Sequence, residues 1–101
     1  MSNYLNYKKT PFVKRYTATI GNVSSGADFY SNTNTIDVFD GFIPVVTGWY
    51  VESEQYQTWI IITSVITSFS GKNNIIINGR NSSAGTAVNV IVQCDILYVP
   101  S

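Results

Sequence analysis

Ala87-Val88-Asn89-Val90-Ile91-Val92-Gln93-Cys94-Asp95-Ile96-Leu97-Tyr98-Val99 is the stretch that decides the fold class. Val88, Val90, Val92, Cys94, Ile96 and Tyr98 recur at period two, while Asn89, Gln93 and Asp95 fall between them with Ile91 and Leu97. Side chains alternate sides along a strand, so the run reads as one long strand whose first set faces a core. Immediately upstream, Asn74-Ile75-Ile76-Ile77-Asn78-Gly79-Arg80 reads as another strand, and Asn81-Ser82-Ser83-Ala84-Gly85-Thr86 as the polar loop between them. Only Pro100 and Ser101 follow. A last strand tied into a sheet leads us to expect either a terminal module of an assembly or a compact standalone unit.

The remaining chain repeats this pattern more loosely. Phe12 to Ile20 alternates, with Phe12, Tyr16, Ala18 and Ile20 on one side, and Gly21 to Gly26 is a turn cluster. Ala27 to Phe39 is extended, but Tyr30-Ser31-Asn32-Thr33-Asn34-Thr35 is polar on both faces, as in an edge strand or a loop. Asp40-Gly41 punctuates. Ile43 to Val51 is a strand with Pro44 near its start and Gly48 inside it, the glycine suggesting a bulge or a close backbone approach. Glu52-Ser53-Glu54-Gln55 is a turn, Thr58 to Phe69 a long strand, and Ser70-Gly71-Lys72-Asn73 a hairpin turn. Asn78-Gly79 suggests a bulge near Arg80. β-branched residues dominate and helical spacing is absent. The expectation is an all-β fold: a compact antiparallel β-sandwich, jelly-roll-like, of about six strands with no significant helix. Short turns also allow a meander-like sandwich or a barrel. Residues 1–11, polar and Tyr-rich, read as a lead-in or linker, and residues 12–101 as the sandwich domain.

Composition narrows the function. Six basic and six acidic residues cancel, and charged residues make up only 12% of the chain. Nucleic acid and anionic membranes both need a basic footprint, so neither is an expected partner. Lys8, Lys9, Lys14 and Arg15 form the one basic cluster, a solvated segment or a dock for an acidic partner. No apolar run reaches the roughly 18 residues of a membrane-crossing helix. The N-terminal residues lack the apolar core of a secretory signal.

There is no histidine and one cysteine. That removes histidine-dependent triads, histidine-ligated metals and a thiolate zinc site within one chain. Cys94 reads as a buried, inert thiol. No phosphate-binding glycine loop is present. Asp28, Asp37, Asp40, Glu52, Glu54 and Asp95 are the remaining route to chemistry, as a hydrolase pair or, for Asp37 and Asp40, a calcium site, but their spacing favours neither. We therefore expect no catalytic residues, metal or cofactor. Asp95 would be solvated on the outward face or paired with Arg80. The two sequons at Asn22 and Asn81 are chance matches in an Asn- and Ser-rich chain.

Two segments are apolar on both faces, Trp59 to Ile62 and Ile75 to Ile77. A two-layer sandwich needs one buried face per strand, so the surplus is expected to meet another subunit. Trp59, Ile61, Ile76, Ile91 and Leu97 are the interface candidates. Sugars stack on exposed rings and bond to amides, so Tyr30, Asn32, Asn34, Tyr50 and Tyr56 are the candidates for a glycan site, ordinary surface being the alternative. Trp49 reads as core or interface.

Several of these elements follow one another in a familiar order. Gly21-Asn22-Val23-Ser24-Ser25-Gly26 precedes Ile36-Asp37-Val38, then Gly41-Phe42-Ile43-Pro44-Val45-Val46-Thr47-Gly48-Trp49. A Trp/Ile/Val strand, a Ser-Gly-x-Asn turn, Gly79-Arg80-Asn81-Ser82-Ser83 and a closing Leu97-Tyr98-Val99 complete it. Over roughly residues 16–99 this resembles the C-terminal β domains of tail-fibre and baseplate proteins in phages and prophages of Gram-positive bacteria, with Phe42 in place of the usual tyrosine. The resemblance implies a non-enzymatic virion structural or host-contact domain, commonly trimeric, located on the phage tail or otherwise extracellular. Its partners would be copies of itself, other virion tail proteins and a cell-surface glycan or other host receptor. A monomeric carbohydrate-binding module is the alternative, and a carboxylate hydrolase a distant third.

Overall fold

A computed structural model describes residues 9–68 and 73–101. Its strands are β1 (Phe12–Val23), β2 (Asp28–Thr35), β3 (Phe42–Glu52), β4 (Ile60–Ser68), β5 (Asn74–Asn81) and β6 (Ala87–Pro100). One short 3₁₀ turn, Gln57–Trp59, precedes β4, so that strand begins two residues later than its apolar pattern suggested. Residues 70–72 of the expected hairpin turn and most of the lead-in, with Lys8, lie outside the described residues.

Every pairing is antiparallel. One sheet has the order β1-β6-β3 and the other β2-β5-β4. The sheets stack with β1 against β2 and β3 against β4. The first strand thus pairs with the last and the second with the fifth, a jelly-roll winding reduced to six strands rather than a meander. The polar β2 is an edge strand, as its sequence suggested. So are β1, β3 and β4, and Pro44 sits on an edge, where a missing N–H costs no ladder bond.

The inner faces are aliphatic. Ala18, Val65, Ile75, Ile77, Val92, Cys94 and Ile96 form the centre, and Val23, Ile60, Ala87 and Val90 a second cluster towards one end. The alternation of β6 holds from Val90 to Tyr98, all fully buried at every second position. It fails at the start: Ala87, not Val88, takes the core position. Asn89 adopts a left-handed conformation, φ 53°, and pairing skips there from Gly21↔Val90 to Val23↔Ala87. An extra residue on one strand flips the faces beyond it. The same device appears at Gly48 on β3, as expected. Beside Arg80 the irregularity falls on the neighbouring strand: pairing runs Ile62↔Gly79 then Ser64↔Asn78, so Thr63 of β4 is the extra residue. Gly79 stays in register opposite Phe29 and Ile62, and a Cβ there would meet the Phe29 ring and the Ile61 carbonyl oxygen at 2.7 Å.

An aromatic cluster closes the end opposite the β5–β6 loop. Tyr98 stacks on Phe12 at 5.0 Å and meets Phe39 edge-on at 4.8 Å, while Phe42 packs edge-on against Phe12 at 5.1 Å. The fully buried Tyr98 donates its hydroxyl proton to the Asp37 carbonyl at 2.7 Å and lies 2.8 Å from the Tyr16 hydroxyl. Tyr16 in turn accepts the Asp37 N–H. Burial, with Tyr16 beside it, pushes the Tyr98 phenol well above its usual range, so it stays a donor. Removing that hydroxyl leaves the Asp37 carbonyl without its donor. Tyr98→Phe should therefore lower unfolding free energy by about 1–3 kcal/mol. Urea denaturation with unchanged m-value checks this; an unchanged midpoint would mean the hydroxyl is dispensable.

Candidate functional site

The glycan candidates do not form one site. Tyr30 and Asn32 lie along the exposed side of β2, and Tyr30 is 60% exposed. Asn34 opposes Ile75, is half-buried and donates to Ser31 Oγ at 2.8 Å, so it is a structural residue of the edge strand. Tyr50 is on the outer face of the other sheet, its ring 5.4 Å from the Arg15 guanidinium. Tyr56 stands in the β3–β4 connection. The set is dispersed over three surfaces.

The interface candidates divide likewise. Ile61 and Ile76 face outwards from β4–β5, Ile91 and Leu97 from β6. Trp59 belongs to neither sheet face: it ends the 3₁₀ turn and is 55% exposed. Trp49, read as core or interface, is opposite Cys94 on edge strand β3 and 47% exposed at the rim of the sandwich.

Among the described residues three ion pairs are made within the chain. Arg15 grips Asp95 with two bonds, Nε to Oδ1 at 2.8 Å and Nη2 to Oδ2 at 3.2 Å, across the β1–β6 register. Asp95's partner is thus Arg15 and not Arg80, because Arg80 sits in the other sheet, where it pairs with Asp28 at 3.2 Å. Lys14 bonds Asp37 at 2.6 Å. Two members of the expected basic cluster are therefore committed within the chain. Asp37, held by Lys14 and Tyr16, is unsuited to the calcium site considered with Asp40. Among the described residues no group of three or more His, Cys, Asp or Glu side chains is placed to hold a metal ion. Cys94 is buried, and desolvation together with the Asp95 charge pushes its thiol up to about 11, so it is inert at neutral pH.

The loop end is built differently. Its organiser is Asn81, fully buried at the end of β5. Its Nδ2 donates to the carbonyls of Val23 at 2.9 Å, Ser24 at 3.3 Å and Gly85 at 2.9 Å, and its Oδ1 accepts Ser83 N–H at 3.0 Å. Three carbonyls and one N–H admit only one orientation of the amide. Enclosure also removes Asn81 as a glycosylation acceptor. The next residue ties in the β3–β4 connection: Ser82 donates from its N–H and its hydroxyl to the Trp59 carbonyl, at 3.0 and 2.6 Å.

This anchoring shapes a slot of about 300 Å³ lined by Tyr56, Trp59, Ser82, Ser83 and Ala84. Tyr56 enters the 3₁₀ turn in a left-handed conformation, φ 61°. Its ring lies over Gly85, so closely that a Cβ there would meet the ring and hydroxyl at 2.6–2.8 Å. Two further clefts flank the end. One of about 440 Å³ runs between the β1 and β2 edges and includes Asn22, Asp28, Tyr30 and Asn32. A more open one of about 520 Å³ gathers Tyr50, Glu52, Glu54, Gln57 and Asn89. In the sequence Tyr56 was legible as an exposed ring, while Trp59 was placed among the interface candidates and not beside Tyr56. Only the contact between loops 53–59 and 82–86 makes them neighbours.

Neither family models nor curated proteins nor solved structures match this chain.

Two outcomes follow from the charges and the buried amide. The Asp95 and Asp37 carboxyls are held below their usual range, chiefly by the hydrogen bonds from Arg15 and Lys14 respectively. A depressed carboxyl stabilises the fold above its unfolded pKa of about 3.9 and loses that contribution as pH falls through the lower folded value. Asp95→Asn should accordingly flatten the acid limb of a plot of melting temperature against pH below about 4; an unaltered limb would dismiss the pair. Asn81→Asp would aim a carboxylate at three carbonyls. Its folded pKa would be raised, so the penalty grows as pH climbs past about 4. The expected loss is about 3–5 kcal/mol at pH 7, typical of an uncompensated buried charge, and clearly less at pH 4. A pH-independent loss would contradict the donor role of the amide.

Proposed function

We propose that this chain is a non-enzymatic structural and host-contact domain of a phage tail fibre or baseplate, assembled as a homotrimer on the virion. The observation that carries the reading is the apolar outer surface of a charge-poor sandwich. In the register of one sheet Val13, Leu97 and Val45 form a continuous outward row, with Ile43 and Val99 beside it. Val13 is 58% exposed, Ile43 47% and Val45 42%. On the other sheet Ile61 and Ile66 are 50% and 52% exposed, with Ile76 opposite Ile66. Isolated exposed aliphatics are ordinary, but rows on a sheet face are the kind of surface that subunits cover. Zero formal charge means that copies approach one another without net repulsion.

The resemblance of the motif order to tail-fibre and baseplate domains supports the same reading, and the jelly-roll winding is compatible with it. Three ion pairs made within the chain and an unreactive cysteine accord with a binding rather than a catalytic role. The exposed rings at the loop end favour one alternative, a monomeric carbohydrate-binding module.

Solution mass separates the two. Light scattering after size exclusion should give three times the chain mass of 11.2 kDa, independent of concentration. Val13→Lys combined with Val45→Lys should reduce it to the monomer while leaving the circular dichroism of the sandwich intact. A wild-type monomer would defeat the assembly reading and leave the monomeric module in its place.

A further inference from the structure

We propose that the slot between Tyr56 and Trp59 is a subsite for a single uncharged pyranose unit of a cell-surface polysaccharide. The inference rests on the host-contact reading above and supplies its ligand class.

The chemistry of the walls selects the ligand. Two exposed rings and the Ala84 methyl present apolar surface, while the exposed Ser82 presents a hydroxyl oxygen as acceptor, its proton being held by the Trp59 carbonyl, and the buried Ser83 backs the wall. A pyranose has the matching character: a C–H face that lies on an aromatic ring and hydroxyls around its rim. No carboxylate, ammonium or guanidinium lines the slot, so nothing there attracts or neutralises an ionic ligand. Uronic acids, sialic acids and phosphodiester-linked polymers would lose hydration without an ionic partner.

Its size selects one ring. At about 300 Å³ the slot is at the small end of ligand sites. Exposed polar residues border it in sequence, Gln55, Gln57 and Thr58 on one loop and Thr86 on the other. An apolar peptide segment would need a longer groove, whereas a saccharide chain continues over polar surface.

The slot is also pre-formed. Trp59 is held through its carbonyl by Ser82. The opposite wall is fixed by the four bonds of Asn81, by Ser83 Oγ donating to the Gly85 carbonyl at 2.7 Å, and by Ser25 Oγ donating to the Ser83 carbonyl at 2.6 Å. Gly85 permits the hydroxyl end of the Tyr56 ring to lie directly against the loop, where any side chain would displace it. Walls fixed in advance spare a weak ligand the cost of ordering them.

The test uses the full chain carrying Trp49→Phe, which leaves Trp59 as the one indole of the protein. Cellotriose, maltotriose and chitotriose are titrated at millimolar concentration beside trigalacturonate, poly(glycerol phosphate) and a proline-rich peptide. The expected result is a saturable change in Trp59 emission with at least one neutral trisaccharide and none with the other three probes. Calorimetric titration of Trp59→Ala and Gly85→Ala should then show affinity for that sugar reduced about tenfold or more. Gly85→Ala deletes neither ring and moves only Tyr56, so it separates slot geometry from loss of fold, with circular dichroism as the check. Silence with every neutral sugar, binding that survives both substitutions, or preference for an anion or the peptide overturns the proposal. Solution mass is read on the same sample. A monomer that binds sugar through Trp59 removes the assembly reading and leaves the subsite; a trimer without ring-dependent binding does the reverse.

Discussion

The side-chain amide of Asn81 is the interaction on which the loop end depends. It is enclosed at the end of the central strand β5 and bonds four backbone groups, of which the Ser24 and Gly85 carbonyls also accept from Ala27 N–H and Ser83 Oγ. Each such group left unpaired costs about 1–3 kcal/mol, so the amide acts mainly by preventing a penalty. Its reach joins the end of β1 to the β5–β6 loop. Backbone bonds from Asn81 and Gly26 add the β1–β2 turn, and Ser82 adds the β3–β4 connection. Three connections from two sheets are thereby fixed around one side chain.

The opposite end reaches the same result with other chemistry. Tyr98 fills the space between the sheets with its ring and anchors the β2–β3 connection with its hydroxyl. Lys14 and Tyr16 hold the Asp37 side chain in the same connection. Between these ends the interior is mainly aliphatic, and among the described residues no ionisable carboxylate, ammonium or guanidinium is buried in it. A jelly-roll winding pairs segments far apart in sequence, so closure depends on such long-range ties rather than on hairpins alone. The sandwich is accordingly bolted at both ends, and its outer faces are free to differ.

They do differ. One outer face carries a polar band, in which Arg15 and Asp95 pair and Thr17 bonds Gln93 at 2.7 Å beneath Tyr50, next to the Val13–Leu97–Val45 row. Exposed ion pairs of this kind contribute little to stability, yet they satisfy charge within the chain and leave neighbouring aliphatics as the available contact surface. Aromatic rings at the loop end are separate from both rows. Assembly and ligand contact can therefore occupy different surfaces of one small domain.

Period-two alternation in Val90 to Tyr98, turn residues at regular spacing and the absence of helical periodicity determined by themselves that the chain is an antiparallel all-β sandwich of six strands, because alternation is a local property of each strand. The edge position of β2 and the bulge at Gly48 were legible for the same reason: polarity and glycine act where they stand. Missing histidine excluded imidazole chemistry, and the position of Cys94 on the apolar face was enough to read it as a buried thiol. Tertiary structure alone decided the rest. Pairing Arg15 with Asp95 and Arg80 with Asp28 depends on which strands share a sheet, and strand order is not written in any one segment. The left-handed Asn89 reversed the faces of Ala87 and Val88, a shift that periodicity cannot foresee. Tyr56 and Trp59 gained a common slot, and Asn81 became a buried hub rather than a loop residue, through contacts between segments more than twenty residues apart. Such contacts exist only once the two sheets have closed on each other.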